Sequence, residues 1–284
     1  MAHSFDIKPI DAIFGAIVTG IKLTDLDEAT WQDLYQTWLK HALLIFPDQH
    51  LTQEQQTAFA HRFGPPEFAL APISNVKSDG TLIKPDSDVV KVLKGNMGWH
   101  HDSTYMPVQA KGAVFSAVVV PEAGGETGWA DMRAAYDALD DAMREKVEHL
   151  NAHHSLWYSQ AKLGHTPKKG SEYAGYGFHE GPAPLRPLVK THPETGRKTL
   201  TIGRHAHNIP GMTESESEQF LAELVDFACQ PPRVYHHKWT PGEAVVWDNR
   251  CLMHRAMPWD FGVPRVMWHS RIAGDPASES SLPA

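Results

Sequence analysis

Short apolar runs closed by turn residues occupy both ends of this chain, and they constrain its fold more than any other feature. Phe5–Ile10, Gly15–Leu23 and Ala42–Phe46 lie near the start, the last closed by Pro47. Arg233–Trp239, Gly242–Asn249 and Pro264–Gly274 lie near the end. Runs of this length, rich in β-branched and aromatic residues and bounded by Gly and Pro, predict strands. In the middle, Val89–Gly95, Gly112–Val120 and Gly124–Met132 are expected to add short strands, and Arg186–Gly203 a hairpin turning at Pro193–Gly196. Helices are predicted among them. Asp27 caps a segment with Trp31, Leu34, Tyr35 and Trp38 at helical spacing, and Thr52 and Gln55 form a capping box for a helix to about Arg62. Residues 131–150 carry an apolar stripe of Met132, Tyr136, Leu139 and Met143. Thr213 and Glu216 open a helix over about 213–230. The expected fold is mainly β with α, a jelly-roll core decorated by inserted helices, in one domain over 1–284. Strand and helix alternate too irregularly for a parallel α/β sheet. Residues 65–88 and 158–182 read as long loops suited to lids, and the tail from Ser278 as loose.

Charge narrows the function classes. The net charge is −8, which leaves no basic footprint for nucleic acid. An acidic substrate would have to be met by a few local cations. Cys229 and Cys251 form no CxxC pair, which removes a zinc knuckle and a disulfide scaffold. Neither a leader-like start nor a run of eighteen apolar residues is present, so the expected address is the cytoplasm, with no membrane partner. A homo-oligomer stays open. The 18 histidines are unusual and point to metal or anion chemistry.

Trp99-His100-His101-Asp102 is the strongest local signal. In an extended segment, residues i and i+2 point to the same side. His100 and Asp102 can therefore meet one metal ion, while His101 faces away. Two histidines and one carboxylate form the facial triad of non-haem iron(II) oxygenases, which leaves coordination positions open. An HxD triplet arises often by chance and gains weight only with a third ligand. His254 follows a predicted strand, within WDNRCLMHRA, and on its own reads as an ordinary half-buried histidine. Asp248, Asn249 and Arg250 are expected to fix a turn that orients it. Arg265 stands eleven positions further on. A guanidinium fork suits a carboxylate, although a lone arginine is more often at the surface or in a structural ion pair.

Together these residues resemble the taurine dioxygenase/2,4-dichlorophenoxyacetate dioxygenase (TauD/TfdA) family. The likeness runs through GAIVTGIKL, WHHDSTY, GGETGWADM, WDNRCLMHRA and RVMWHSRIAGD. It implies a double-stranded β-helix and a dioxygenase using Fe(II), 2-oxoglutarate as cosubstrate and O₂. It further implies His100, Asp102 and His254 as the catalytic iron ligands, and Thr127 and Arg265 as holders of the distal 2-oxoglutarate carboxylate. Arg271 would contact 2-oxoglutarate or substrate, or support Arg265. Because Asp102 completes the triad, chloride is not expected to replace it as in a halogenase.

HALLIFPDQHL, ISNVKSDGT, IGRHAHNIPGM and PWDFGVPRVMWHSRIAGDP are similar to the bacterial (S)-2-(aryloxy)propionate dioxygenases. This implies an aryloxyalkanoate substrate, hydroxylated beside its ether oxygen and collapsing to a phenol and an oxo acid. In taurine dioxygenase an arginine four residues after the 2-oxoglutarate arginine binds the substrate anion; here that position is His269. The anion is then expected at Arg204 and His205, or at Lys162, with His269 nearby. Trp99, Tyr105, Phe115 and Trp157 are candidates for an apolar wall, and Trp129 and Trp247 for packing. Alternatives are an alkylsulfonate or other small-carboxylate dioxygenase, a zinc hydrolase on the same ligands, and a non-catalytic metal-binding jelly roll.

Overall fold

The strand Gly112–Val119 organises the structure, because its first six residues are all buried and both of its edges are paired. The computed structural model describes residues 4–166 and 179–283. Ala244–Asp248 flanks one side of the central strand and Val266–Ile272 the other, both antiparallel. Beyond the first come Leu43–Phe46, Ala16–Thr19 and Asp6–Pro9; beyond the second comes Ala71–Ser74. Only the Ala16–Thr19/Leu43–Phe46 contact in this seven-stranded sheet is parallel. A smaller sheet has Thr127–Asp131 between Val234–His237 and Leu252–Ala256.

Side-chain alternation decides what each face meets. Ala113, Phe115, Val245 and Trp247 of the large sheet pack against Trp129, Leu252 and Trp239, forming the core between the sheets. Val114, Ala244 and Val246 point the other way, onto Trp38 and Leu34 of helix Glu28–His41 and Phe59 of helix Gln53–His61. Ala130 and Met253, on the outer face of the small sheet, pack under Phe220 and Leu224 of helix Glu214–Ala228. The result is a jelly roll with helices laid on its outer faces. Trp38 is fully buried, and truncating such a side chain typically costs about 3–5 kcal/mol.

The predicted helix caps hold: Asp27 accepts from Thr30 N, and Thr52 and Thr213 each close a capping box. The hairpin pairs Lys198 with Thr191 across its turn. Other expectations are corrected. Val89–Gly95 is not a strand but part of helix Asp88–Gly95, capped by Ser87, with Val90 and Leu93 buried and Lys91 and Lys94 exposed at the same spacing. The stretch 131–150 breaks into Met132–Asp137 and Asp141–Glu148, because Asp140 caps a second helix. Residues 65–88 are not all loop: Ala71–Ser74 forms the edge strand beside Val266–Ile272. The tail is docked rather than loose. Glu279 is buried against Lys190, its carbonyl accepts from Gln109 N and Arg186 Nη1, and Leu282 N donates to Leu185 O. Residues 167–178 of the second expected loop lie outside the described residues; before them, Leu156–Ala161 is helical.

Candidate active site

The site begins with a backbone pairing. His100 N donates to His254 O at 3.0 Å, and His254 N donates to His100 O at 2.8 Å. Residues paired in this way project their side chains to the same face, and the two imidazole centroids lie 4.2 Å apart. His254 therefore lies within a strand, Leu252–Ala256, rather than after one. Gly203 packs beneath the pairing: a Cβ there would stand 2.8 Å from Trp99 O and 3.2 Å from His100 Cα. His100 Nδ1 is spent on Gly98 O at 2.8 Å, which turns its Nε2 outward. Asp102, two residues on, faces the same space, and His101 faces away with Nδ1 2.8 Å from Asn249 O.

Ligand atoms of His100, Asp102 and His254 all lie within 4.8 Å of one another. Asp102 Oδ2 is buried without a hydrogen-bond partner of good geometry. It sits 3.8 Å from His254 Nε2, 3.4 Å from His269 Nε2 and 3.9 Å from Arg271 Nε. Burial alone would raise the Asp102 carboxyl, but the charge of Arg271 and the neighbouring His254 and His269 hold it well below the usual carboxylate range. Burial lowers His254 to about 4 and pushes His100 well down. At neutral pH the set is one carboxylate and two neutral imidazoles, the donor forms a divalent cation requires.

Arg271 reaches Asp102 from a braced position. Its Nη1 donates to Ser103 Oγ at 2.7 Å and lies 3.7 Å from Glu67 Oε2, which itself accepts from Ser103 Oγ at 2.8 Å. Arg265 is 1% exposed. Asn75 Oδ1 accepts from its backbone N at 2.8 Å, Gly125 O accepts from its Nε at 3.1 Å, and the rings of Trp259 and Phe115 flank its guanidinium. Burial lowers its pKa to about 10, so it stays a cation. Thr127 Oγ1 accepts from Trp239 Nε1 at 2.9 Å.

One cavity of about 730 Å³, its open mouth included, brings the triplet together with Thr127, Arg265 and Arg271. Ile73, Val92, Tyr105, Phe115, Leu156 and Trp247 give it an apolar lining. His205 and His269 line it as well. Ser159 Oγ donates to Leu156 O, so His205 Nδ1 is the donor to Ser159 Oγ at 2.9 Å and its Nε2 is left as an acceptor. Burial, then Arg204 and His100, keep His205 neutral.

Two expected anion binders are elsewhere. Lys162 is 2.9 Å from Glu218 Oε1, and Arg204 lies over Gly95 and Gly98 with Nη2 3.4 Å from Ser159 Oγ. Both line a separate groove, shared with Gly98, Trp99 and Gly203 behind His100. The expected wall is also half right. Tyr105 and Phe115 line the cavity, whereas Trp99 lies over Arg255 and beside His236, and Trp157 Nε1 donates to His179 O. Trp247, expected only to pack, does both: it stacks on His269 and lines the cavity. Glu67, Ser103 and Asn75 had no signal in the sequence, since each acts through contacts formed only in the fold. Among the described residues a second buried triplet, His192, Asp248 and Cys251, has its carboxylate already held by Arg250 at 2.6 and 2.8 Å.

Comparison with known proteins agrees with this geometry. The family model for taurine catabolism dioxygenase TauD, TfdA family, matches residues 6–271. The chain is 68% identical to an (S)-phenoxypropionate/alpha-ketoglutarate-dioxygenase of Sphingobium herbicidovorans, over 99% of both chains. It is 37% identical to an alpha-ketoglutarate-dependent 2,4-dichlorophenoxyacetate dioxygenase of Cupriavidus pinatubonensis, over 94% of this chain and 97% of that one. The crystal structure of AAD-2 in complex with Mn(II) and N-oxalylglycine superposes with a TM-score of 0.90 at 39% identity, covering 99% of each chain. No helix among the described residues is long and apolar enough to cross a membrane. The chain belongs to the taurine catabolism dioxygenase TauD, TfdA family, and is a 2-oxoglutarate-dependent dioxygenase.

Proposed function

We propose that the chain oxidises an aryloxyalkanoate, of the (S)-2-aryloxypropionate type, to a phenol and a 2-oxo acid. The observation that carries the reading is one cavity holding three parts side by side: the His100/Asp102/His254 triplet, the Arg265–Thr127 pair, and an apolar wall containing Tyr105 and Phe115. The relative of 68% identity supports the substrate class. Iron bound at the triplet, with 2-oxoglutarate and O₂, supplies the power to convert C–H to C–OH, releasing succinate and CO₂.

The protein's own part is placement. Arg265 holds the distal carboxylate of 2-oxoglutarate with its fork, and Thr127 adds a hydroxyl. The flanking Trp259 and Phe115 rings keep water from that ion pair. Arg271 keeps Asp102 anionic. The substrate ring lies on the apolar wall, and its carboxylate lies toward His205 and His269, which take up positive charge as the anion enters. Held this way, the C–H beside the ether oxygen faces the triplet. Hydroxylation at that carbon gives a hemiketal. As the C=O forms, the bond between that carbon and the aryloxy oxygen breaks, and the hydroxyl proton passes to the departing oxygen to give the phenol.

The test is oxygen consumption with Fe(II), ascorbate and 2-oxoglutarate. O₂ uptake that rises on adding (S)-2-phenoxypropionate and stops when 2-oxoglutarate is omitted is expected. Hydrolysis products without O₂ uptake would instead favour a zinc hydrolase on the same ligands.

A further inference from the structure

Asn249 holds the backbone of Asp102 from both sides. Its Oδ1 accepts from Asp102 N at 2.7 Å, and its Nδ2 donates to Asp102 O at 2.9 Å and to Ala110 O at 2.9 Å. Its main-chain carbonyl accepts from His101 Nδ1 at 2.8 Å and from Gln109 Nε2 at 3.2 Å. Asn249 is fully buried. A planar carboxamide that both accepts from and donates to one residue fixes that residue's peptide orientation as a β-ladder partner would. Asp102 needs this help because no strand carries it: the paired segment ends at His100, and Ser103 already has a left-handed φ of 58°.

The residues on either side of Asn249 are engaged with other groups and not with Asp102. Asp248 Oδ1 accepts from Arg250 N at 3.0 Å and Nε at 2.8 Å, and Asp248 Oδ2 lies 3.0 Å from His192 Nε2. Arg250 Nη1 donates to Glu194 Oε1 at 2.6 Å. Asp102 and Asn249 are 147 positions apart, so the fold, not local sequence, joins them.

We infer that Asn249 is a positioning residue for the reaction, fixing the Asp102 carboxylate at the metal-binding distance from His100 and His254 by clamping its backbone. This rests on those three residues holding the metal. Outer partners of metal ligands typically control 10–100-fold in metal affinity.

The experiment is Mn(II) titration of metal-free protein by calorimetry, with no turnover required. In Asn249→Ala the main-chain bonds to His101 and Gln109 remain, so circular dichroism should match the parent. Its Mn(II) Kd should rise about 10–100-fold. Glu194→Ala removes the outer partner of Arg250 but none of the bonds to Asp102, and its Kd should stay within about twofold of the parent, well below the effect of an outer ligand partner. Should Asn249→Ala fail to fold, Asn249→Ser is read the same way. A folded Asn249 variant that binds Mn(II) like the parent would overturn the inference, as would a Glu194→Ala loss of equal size. Asp102→Ala separates this from the underlying reading. If that variant also binds Mn(II) like the parent, the metal assignment itself has failed; if it alone loses Mn(II), only the role of Asn249 has.

Discussion

His100 and His254 are backbone partners, each donating its N–H to the other's carbonyl. The distance between the two imidazoles of the triplet is thus set by strand register, not by loops. Register is unforgiving, since a one-residue slip turns a side chain to the opposite face. Residues 154 positions apart in sequence are delivered to one point by the same hydrogen bonds that close the small sheet's edge.

His254→Ala should leave this pairing intact, because it uses the main chain alone. The variant is expected to keep the parent's circular dichroism and lose both Mn(II) binding and turnover. Turnover at the parental rate would remove His254 from the triad.

Arg265→Ala should raise the apparent KM for 2-oxoglutarate. Removing one partner of a desolvated charge pair costs on the order of 2–5 kcal/mol, or roughly 30-fold and upward. Succinate formation against 2-oxoglutarate concentration measures it. An unchanged KM would move the role to Arg271.

Lys162 and His205 should separate. Lys162 is half exposed and paired with Glu218, so Lys162→Ala is expected to change the KM for the aryloxyalkanoate by no more than about twofold, as exposed pairs contribute little. His205→Ala should raise that KM while leaving the KM for 2-oxoglutarate near its parental value. The reverse pattern would place the substrate in the groove behind His100.

Asp248 should make the fold acid-sensitive. Burial would raise its carboxyl, but Arg250 and His192 hold it far below the ordinary carboxylate range. A group depressed in the folded state stabilises above its unfolded pKa, about 3.9, and loses that contribution as pH falls further. Asp248→Asn should therefore be less stable at pH 7, by about 3–5 kcal/mol for a broken buried pair. The gap between the urea midpoints of parent and variant should narrow at pH 3.5. A gap constant across pH would show that the Asp248 charge contributes nothing.

Much of the site was legible in the sequence because chemistry constrains it locally. The i, i+2 spacing of His100 and Asp102 needs only an extended backbone, and His101 duly turns away. Arg265 stands out only through the family resemblance, since a lone arginine reads more often as a surface or ion-paired residue. Helix ends were legible at Asp27, Thr52 and Thr213, where a capping side chain acts within three residues. Val89–Gly95 is helical although its sequence suits a strand, because four apolar residues in a short run satisfy both periods and only Ser87 as cap decides for helix. Arg204 and Lys162 line a groove apart from the triplet, a placement that depends on side-chain direction and on the Lys162–Glu218 pair, neither of which the sequence gives. Asn249 was expected to orient His254; its carboxamide instead grips Asp102, a long-range contact that no local pattern encodes.

The most direct measurement of the central claim is product stoichiometry with paired substrates. Purified protein with Fe(II), ascorbate, 2-oxoglutarate and O₂ is given (S)-2-phenoxypropionate, its (R)-enantiomer or taurine, and phenol and succinate are quantified together. Phenol and succinate in equal amounts from the (S)-enantiomer, with little of either from taurine, is the expected result. Succinate with taurine and no phenol from either enantiomer would contradict the account.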